Sequence, residues 1–252
     1  MFLRYAGLAG LASSLALSAA CSSGMAPTAT IVVPLPETPK PQTVQLLSVT
    51  RIMAYGNSIT EGQTGVGTPL PQPDPSTPGD AHSYPFKLKQ LLSAQYPTQT
   101  FNVFNAGKGG DTAVGTITRL EGVLAQLQPD VVIFFLGEND LNAGTTIPTI
   151  AAAMGQLLDA VRARGAQVIL STITRQRVGG LKSGAPQKVV PYNTALFDVA
   201  AQHAAQLVDV YPLITDDLVG PDGLHLAEAA NATLAAAYFA VLKARFEYTA
   251  PK

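Results

Sequence analysis

The sequence predicts an α/β domain, a parallel sheet of five strands with helices on both faces. Two observations predict it. Short β-branched or aromatic runs recur after residue 50, each followed by turn residues. Between them lie longer stretches whose apolar residues repeat at three and four. Strands that alternate with helices in this way build βαβ units, which make neighbouring strands parallel and cover the sheet on both sides.

The expected strands are 51–55, 101–105, 131–136, 167–172 and 207–211. The first helix is expected over 83–96, less regular than the others. Val114, Ile117, Leu120, Leu124 and Leu127 mark one face of the second. Ile147, Ile150, Met154, Leu157, Leu158 and Val161 mark the third. A fourth is expected over 191–206 and an alanine-rich fifth over 227–246. Two loops stand out. Residues 63–82 carry Pro69, Pro71, Pro73, Pro75 and Pro78 without periodicity, and a loop of that length is commonly functional. Residues 174–188 hold Arg175, Arg177, Lys182 and Lys188 and no acid. This loop reads as a solvated one, with a basic rim for anionic substrates as the sharper alternative.

A chain of 252 residues, 47% apolar, buries one sizeable core. A net charge of −1, mixed in sign, points away from a nucleic-acid partner. No stretch after residue 30 is apolar for the 18 residues that a membrane-spanning helix needs. The N-terminus is different. Arg4, the apolar run Ala6 to Leu17 and the small residues before Cys21 read as an export signal. Small residues directly before a lone cysteine are also the pattern of a lipoprotein signal, in which Cys21 takes a lipid. Leu17 lies one place further from Cys21 than that pattern usually has it, so ordinary cleavage after Ala20 stays open. No second cysteine exists to pair with Cys21. The expected organisation is a signal at 1–21, a Pro/Ser/Thr-rich tether at 22–48 and a folded domain at 49–252. It places the protein in the periplasm or cell envelope, touching the membrane through an N-terminal lipid only.

Candidate chemistry collects at strand ends. The run 52–55 stops at Gly56, and Asn57-Ser58-Ile59-Thr60 follows. Crevices of open α/β sheets lie at that edge, so Ser58 is a candidate nucleophile. The second strand is followed by Asn105-Ala106-Gly107-Lys108-Gly109-Gly110, whose glycines let the backbone turn and present N–H groups. The third is followed by Gly137-Glu138-Asn139-Asp140, where an asparagine amide is a neutral donor. Asp222-Gly223-Leu224-His225 precedes the last helix. An Asp three residues before a His can accept from Nδ1–H and leave Nε2 to take a proton. Neither His82 nor His203 has an acid so placed. Three dispersed histidines and one cysteine make no metal cluster. The Gly-x-Ser-x-Gly elbow of α/β-hydrolases and the phosphate-binding Gly-Lys-Ser/Thr run are both absent.

These four blocks, in this order over about residues 51–245, resemble the SGNH (GDSL-type) hydrolases. The resemblance implies a flavodoxin-like three-layer α/β/α sandwich and ester hydrolysis without metal or cofactor. It implies Ser58 as nucleophile, His225 as base and Asp222 as its orienting acid. Ser58 N–H, Gly107 N–H and the Asn139 amide would form the oxyanion hole. One position departs from the family, which usually has Asp before the nucleophile where this chain has Asn57. The expected function is a serine esterase acting on small acyl esters, acetyl or short-chain, of carbohydrate or small alcohols. A lysophospholipase or thioesterase, and a glycan-binding surface lipoprotein without activity, are the alternatives.

Overall fold

The structure, a computed structural model, describes residues 42–65 and 74–252. The export signal, Cys21, the tether up to residue 41, and Pro69, Pro71 and Pro73 lie outside the described residues. The chain enters through strand β1 (Thr43–Leu47) and passes to β2 (Arg51–Gly56), the short helix α1 (Ser58–Glu61) and α2 (Tyr84–Gln95). Then come β3 (Asn102–Gly107), α3 (Ile117–Leu127), β4 (Val131–Phe135), α4 (Glu138–Asn142) and α5 (Ile147–Arg162). The last elements are β5 (Gln167–Ser171), α6 (Val189–Gln202), β6 (Gln206–Val208), α7 (Glu228–Phe246) and β7 (Glu247–Pro251).

The main sheet has five parallel strands in the order β3-β2-β4-β5-β6. Alternate residues serve two separate cores, as a two-sided sheet requires. Met53, Tyr55, Val132, Phe134 and Leu170 face α3, α5 and α6. Ile52, Ala54, Ile133, Phe135 and Ile169 face α2 and α7. Both faces are buried, so the strands read as continuous apolar runs rather than alternations. This is the expected three-layer α/β sandwich. The chain leaves β2 for β3 on one side, then returns to β4 on the other, so the switch point lies between the C-terminal ends of β2 and β4.

Two differences from the sequence reading are local. Residues 43–47 are a strand rather than tether: β1 pairs antiparallel with β7, Thr43 opposite Pro251, and Leu47 is buried. The folded part therefore begins before residue 49. The polar–apolar alternation Thr43-Val44-Gln45-Leu46 was the available signal, obscured by the proline-rich composition just before it. The fifth strand of the main sheet is shorter than expected, because Tyr211–Leu213 turns into a 3-10 helix. Among the described residues no helix is long and apolar enough to cross a membrane.

Candidate active site

Ser58 is held by a turn that only small residues permit. A Cβ at Gly56 would stand 2.0 Å from Thr60 Oγ1 and 2.5 Å from the Phe135 carbonyl. The chain therefore turns tightly between β2 and α1, beside the end of β4. Asn57 then caps α1, its Oδ1 accepting from Ile59 N–H at 3.0 Å. The cap fixes Ser58 at the first position of the helix, at the sheet edge. Ser58 itself is 6% exposed.

His225 and Asp222 come from the segment before α7 and meet Ser58 across the crevice. His225 Nε2 lies 2.7 Å from Ser58 Oγ, and Nδ1 lies 2.6 Å from Asp222 Oδ2. With the Nδ1 proton on the Asp222 side, Nε2 accepts from the serine hydroxyl. Asp222 Oδ1 accepts from Leu224 N–H at 3.1 Å and His225 N–H at 3.0 Å. Burial alone would push its carboxyl up, but the donors from His225 and Leu224 prevail and hold it below the ordinary value. The carboxylate thus stays charged beside the ring.

The loop 174–188 braces this turn while Val178 and Leu181 stay exposed to solvent. Arg177 N–H donates to Gly223 O at 2.9 Å and Lys182 N–H to Asp222 O at 2.8 Å. The Arg177 guanidinium donates to Gly220 O at 2.7 Å. Arg175 stacks on Tyr211 and reaches Asp216 at 3.5 Å. Much of the basic character of this loop is thereby spent on the protein itself. From the proline loop, Gly65 abuts the Asp222 carboxyl so closely that a Cβ there would stand 2.6 Å from it.

Asn139 follows β4 across the switch point from Ser58. Its Nδ2 donates to Asp111 O at 2.8 Å, which uses one of its two N–H bonds and fixes the amide plane. Asp111 is in turn held by Arg119 Nε at 2.6 Å. The neighbouring Asp140 accepts from Ala113 N–H at 2.8 Å and Val114 N–H at 3.1 Å. Blocks two and three are therefore tied together.

Gly107 is placed differently from the expectation. Its N–H already donates to Asn105 Oδ1 at 3.0 Å. Its α-carbon is pressed against α1, where a Cβ would stand 2.2 Å from the Glu61 nitrogen. Gly107 is a close-packing glycine, and its N–H is not a free donor to the crevice. The stretch of the loop that passes beside Ser58 is Gly109–Gly110, for a Cβ on Gly109 would come 3.9 Å from Ser58 Cβ. Gly109 N–H is engaged by the Glu61 carboxylate, whereas Gly110, at φ +80°, keeps an exposed backbone. The expectation named Gly107, but three glycines in one loop look alike in sequence, and only the packing against α1 separates them.

The residue least anticipated is Glu138. It is 0% exposed, its Oε2 accepts from Asn57 Nδ2 at 2.8 Å, and its Oε1 has no partner among the described residues. Burial pushes its carboxyl up to about 8. Among the described residues no group of His, Cys, Asp and Glu is arranged to hold a metal ion.

Comparisons with known proteins bear on the family and the fold. The esterase TesA of Pseudomonas aeruginosa is 29% identical over 136 residues, 54% of this chain and 64% of that relative, so the match spans less than two thirds of its length. Among solved structures, a lipase/acylhydrolase from Enterococcus faecalis superposes with a TM-score of 0.65 at 24% identity, covering 81% of this chain and 98% of that one. A structure described as TesA gives 0.60 at 26% identity, covering 77% and 98%. A catalytic mutant of an acetylxylan esterase from Geobacillus stearothermophilus gives 0.61 at 19%, covering 76% and 94%. The family profile of the GDSL-like lipases and acylhydrolases matches residues 54–233, most of the described domain, and the chain belongs to that GDSL-like lipase/acylhydrolase family.

Proposed function

We propose that the protein is a serine esterase that cleaves small acyl esters, acetyl or short-chain, through an acyl-enzyme. The observation that carries this reading is the unbroken hydrogen-bonded line from Ser58 Oγ through the His225 ring to Asp222. A serine hydroxyl is a poor nucleophile without an adjacent base. His225 Nε2 takes the Ser58 proton as Oγ attacks the ester carbonyl. Asp222 stabilises the imidazolium that forms. Charge develops on the carbonyl oxygen, where Ser58 N–H, Gly110 N–H and the second N–H of Asn139 receive it. The imidazolium then gives its proton to the leaving alcohol. Water, activated by the same nitrogen, attacks the acyl-serine and releases the acid.

The short-acyl preference draws on the structural neighbours, one described as an acetyl esterase and one as an acetylxylan esterase. Hydrolysis of a p-nitrophenyl ester series of increasing acyl length, with labelling by a serine-reactive phosphonate, tests it. Acetyl to butyryl esters turn over fastest, and the phosphonate labels wild type but not Ser58→Ala. A maximum at long acyl chains would favour the lysophospholipase or thioesterase reading. Absence of both turnover and label would favour a glycan binder. The reading also keeps an exported, lipid-anchored protein, on the strength of residues 1–21. Incorporation of labelled fatty acid that Cys21→Ser abolishes is the expected result, and equal incorporation would remove the anchor.

A further inference from the structure

We propose that Glu138 is a positioning residue for the nucleophile, acting through Asn57, and that the pair is matched so that the bond between them needs no shared proton. The proposal rests on Ser58 being the nucleophile. Asn57 is fixed at three points. Its Oδ1 accepts from Ile59 N–H at 3.0 Å, its main-chain oxygen accepts from Glu61 N–H at 3.0 Å, and its Nδ2 donates to Glu138 Oε2 at 2.8 Å. The first of these settles the amide's orientation, since only the oxygen can accept from a backbone N–H. Nδ2 is therefore the atom facing Glu138, and Oε2 is the acceptor.

This bond crosses the switch point. Asn57 directly precedes Ser58 at the end of β2, and Glu138 directly precedes Asn139 after β4. Beyond the β2–β4 ladder, this one side-chain bond thus ties the turn that bears the attacking oxygen to the turn that bears the amide expected to receive the developing charge. Both side chains are buried, Asn57 at 1% and Glu138 at 0% exposure, so water does not replace the bond.

The residue types follow from the surroundings. Asp140 is the charged group nearest to Glu138 in effect, and it repels. The hydroxyls of Tyr84, Tyr192 and Tyr238 also feel Glu138, and all three are neutral. No cation among these groups offsets a second carboxylate. An aspartate in place of Asn57 would keep the bond to Ile59 and set its other oxygen against Oε2. Two acceptors at that spacing hold together only around one proton. An amide donor needs none, because Oε2 keeps a lone pair whether Glu138 is charged or neutral. Burial raises the Glu138 carboxyl to about 8, so both forms occur across the working pH range.

The experiment measures p-nitrophenyl acetate turnover from pH 6 to 9 for Asn57→Asp, Glu138→Gln and the double variant, each as a ratio to wild type at the same pH. The ratio cancels titration of groups the variants share. Asn57→Asp is expected to stay near wild type at pH 6 and to fall about tenfold or more by pH 9, in kcat rather than KM. Glu138→Gln, which still accepts from Asn57 through its amide oxygen, retains activity within about threefold at every pH. In the double variant the new amide donates to the new carboxylate across the same gap, and the alkaline loss disappears. A flat Asn57→Asp ratio, or a double variant no better than Asn57→Asp, would overturn the proposal. These substitutions conserve volume, so the test does not depend on a truncated core. Phosphonate labelling of wild type separates the two levels. A labelled Ser58 with a flat ratio sinks the positioning role alone, whereas an unlabelled Ser58 removes the nucleophile on which it depends.

Discussion

Asp222 and Glu138 are both buried carboxyls within one residue's reach of the reacting groups, yet the chain treats them in opposite ways. Asp222 accepts from the His225 ring, from Leu224 N–H and from His225 N–H, and its carboxyl is held below the ordinary value. Glu138 accepts from Asn57 Nδ2, leaves Oε1 without a partner among the described residues and is pushed up to about 8. Burial pushes both up, but Glu138 is the more deeply buried and has fewer donors, so desolvation prevails there and the donors prevail at Asp222. The difference matches what each must do. Under the proposed mechanism Asp222 has to remain an anion to stabilise an imidazolium, whereas Glu138 has only to accept a bond, which a neutral acid does as well.

The comparison breaks most sharply at Asp222→Asn. The new amide would keep Oδ1 on the two backbone N–H groups and turn Nδ2 toward His225 Nδ1. That forces the ring proton onto Nε2, where it faces the serine oxygen instead of accepting its proton. A loss of about 10⁴ in kcat with the fold intact is expected, read by steady-state kinetics beside circular dichroism. A loss under tenfold would mean that Asp222 does not set the tautomer. Next in size is Asn139→Ala, which removes one donor to the developing charge and lowers kcat by about 10²–10³. An unaffected kcat would exclude that amide from the oxyanion hole.

Gly107→Ala acts on stability instead. Its Cβ would meet the backbone of Glu61, and backbone shifts of that kind cost about 1–3 kcal/mol in urea unfolding. A variant as stable as wild type would show that α1 yields freely. The smallest effect sharpens the comparison at its other end. A carboxyl whose folded value, about 8, lies above its ordinary 4.5 binds its proton more tightly in the folded state. Its contribution is full below about 4.5 and is lost as pH rises toward 8. Glu138→Gln has no such proton to lose. Its Tm relative to wild type should therefore climb by a few degrees between pH 5 and 8. A constant difference would place the Glu138 carboxyl near its unburied value.

Much of this candidate site was legible because the side chains that meet at the edge of the parallel sheet sit in short local patterns. Ser58 follows an apolar run that stops at a glycine. Asp222 precedes His225 by three residues, a spacing that lets one turn hold both, and the two are found 2.6 Å apart. What stayed hidden depends on atoms distant in sequence. Gly107, Gly109 and Gly110 are alike in one dimension, and only the path of α1 shows that the first is packed and engaged. The basic loop 174–188 looked solvated because its acceptors are backbone carbonyls much later in the chain, at Gly220, Asp222 and Gly223.

By itself, the sequence determined the alternation of strands and helices, the approximate position of the five sheet strands and the residue types able to carry ester chemistry. Hydrophobic periodicity and turn residues act over a few positions, and those positions are adjacent in the chain. The tertiary structure alone decided which glycine is packed against α1, what Glu138 is bonded to, and that residues 43–47 close the domain against its last strand. Each of these is a contact between segments far apart in the chain, set by where the strands stack, and no local pattern encodes a distance across the sheet.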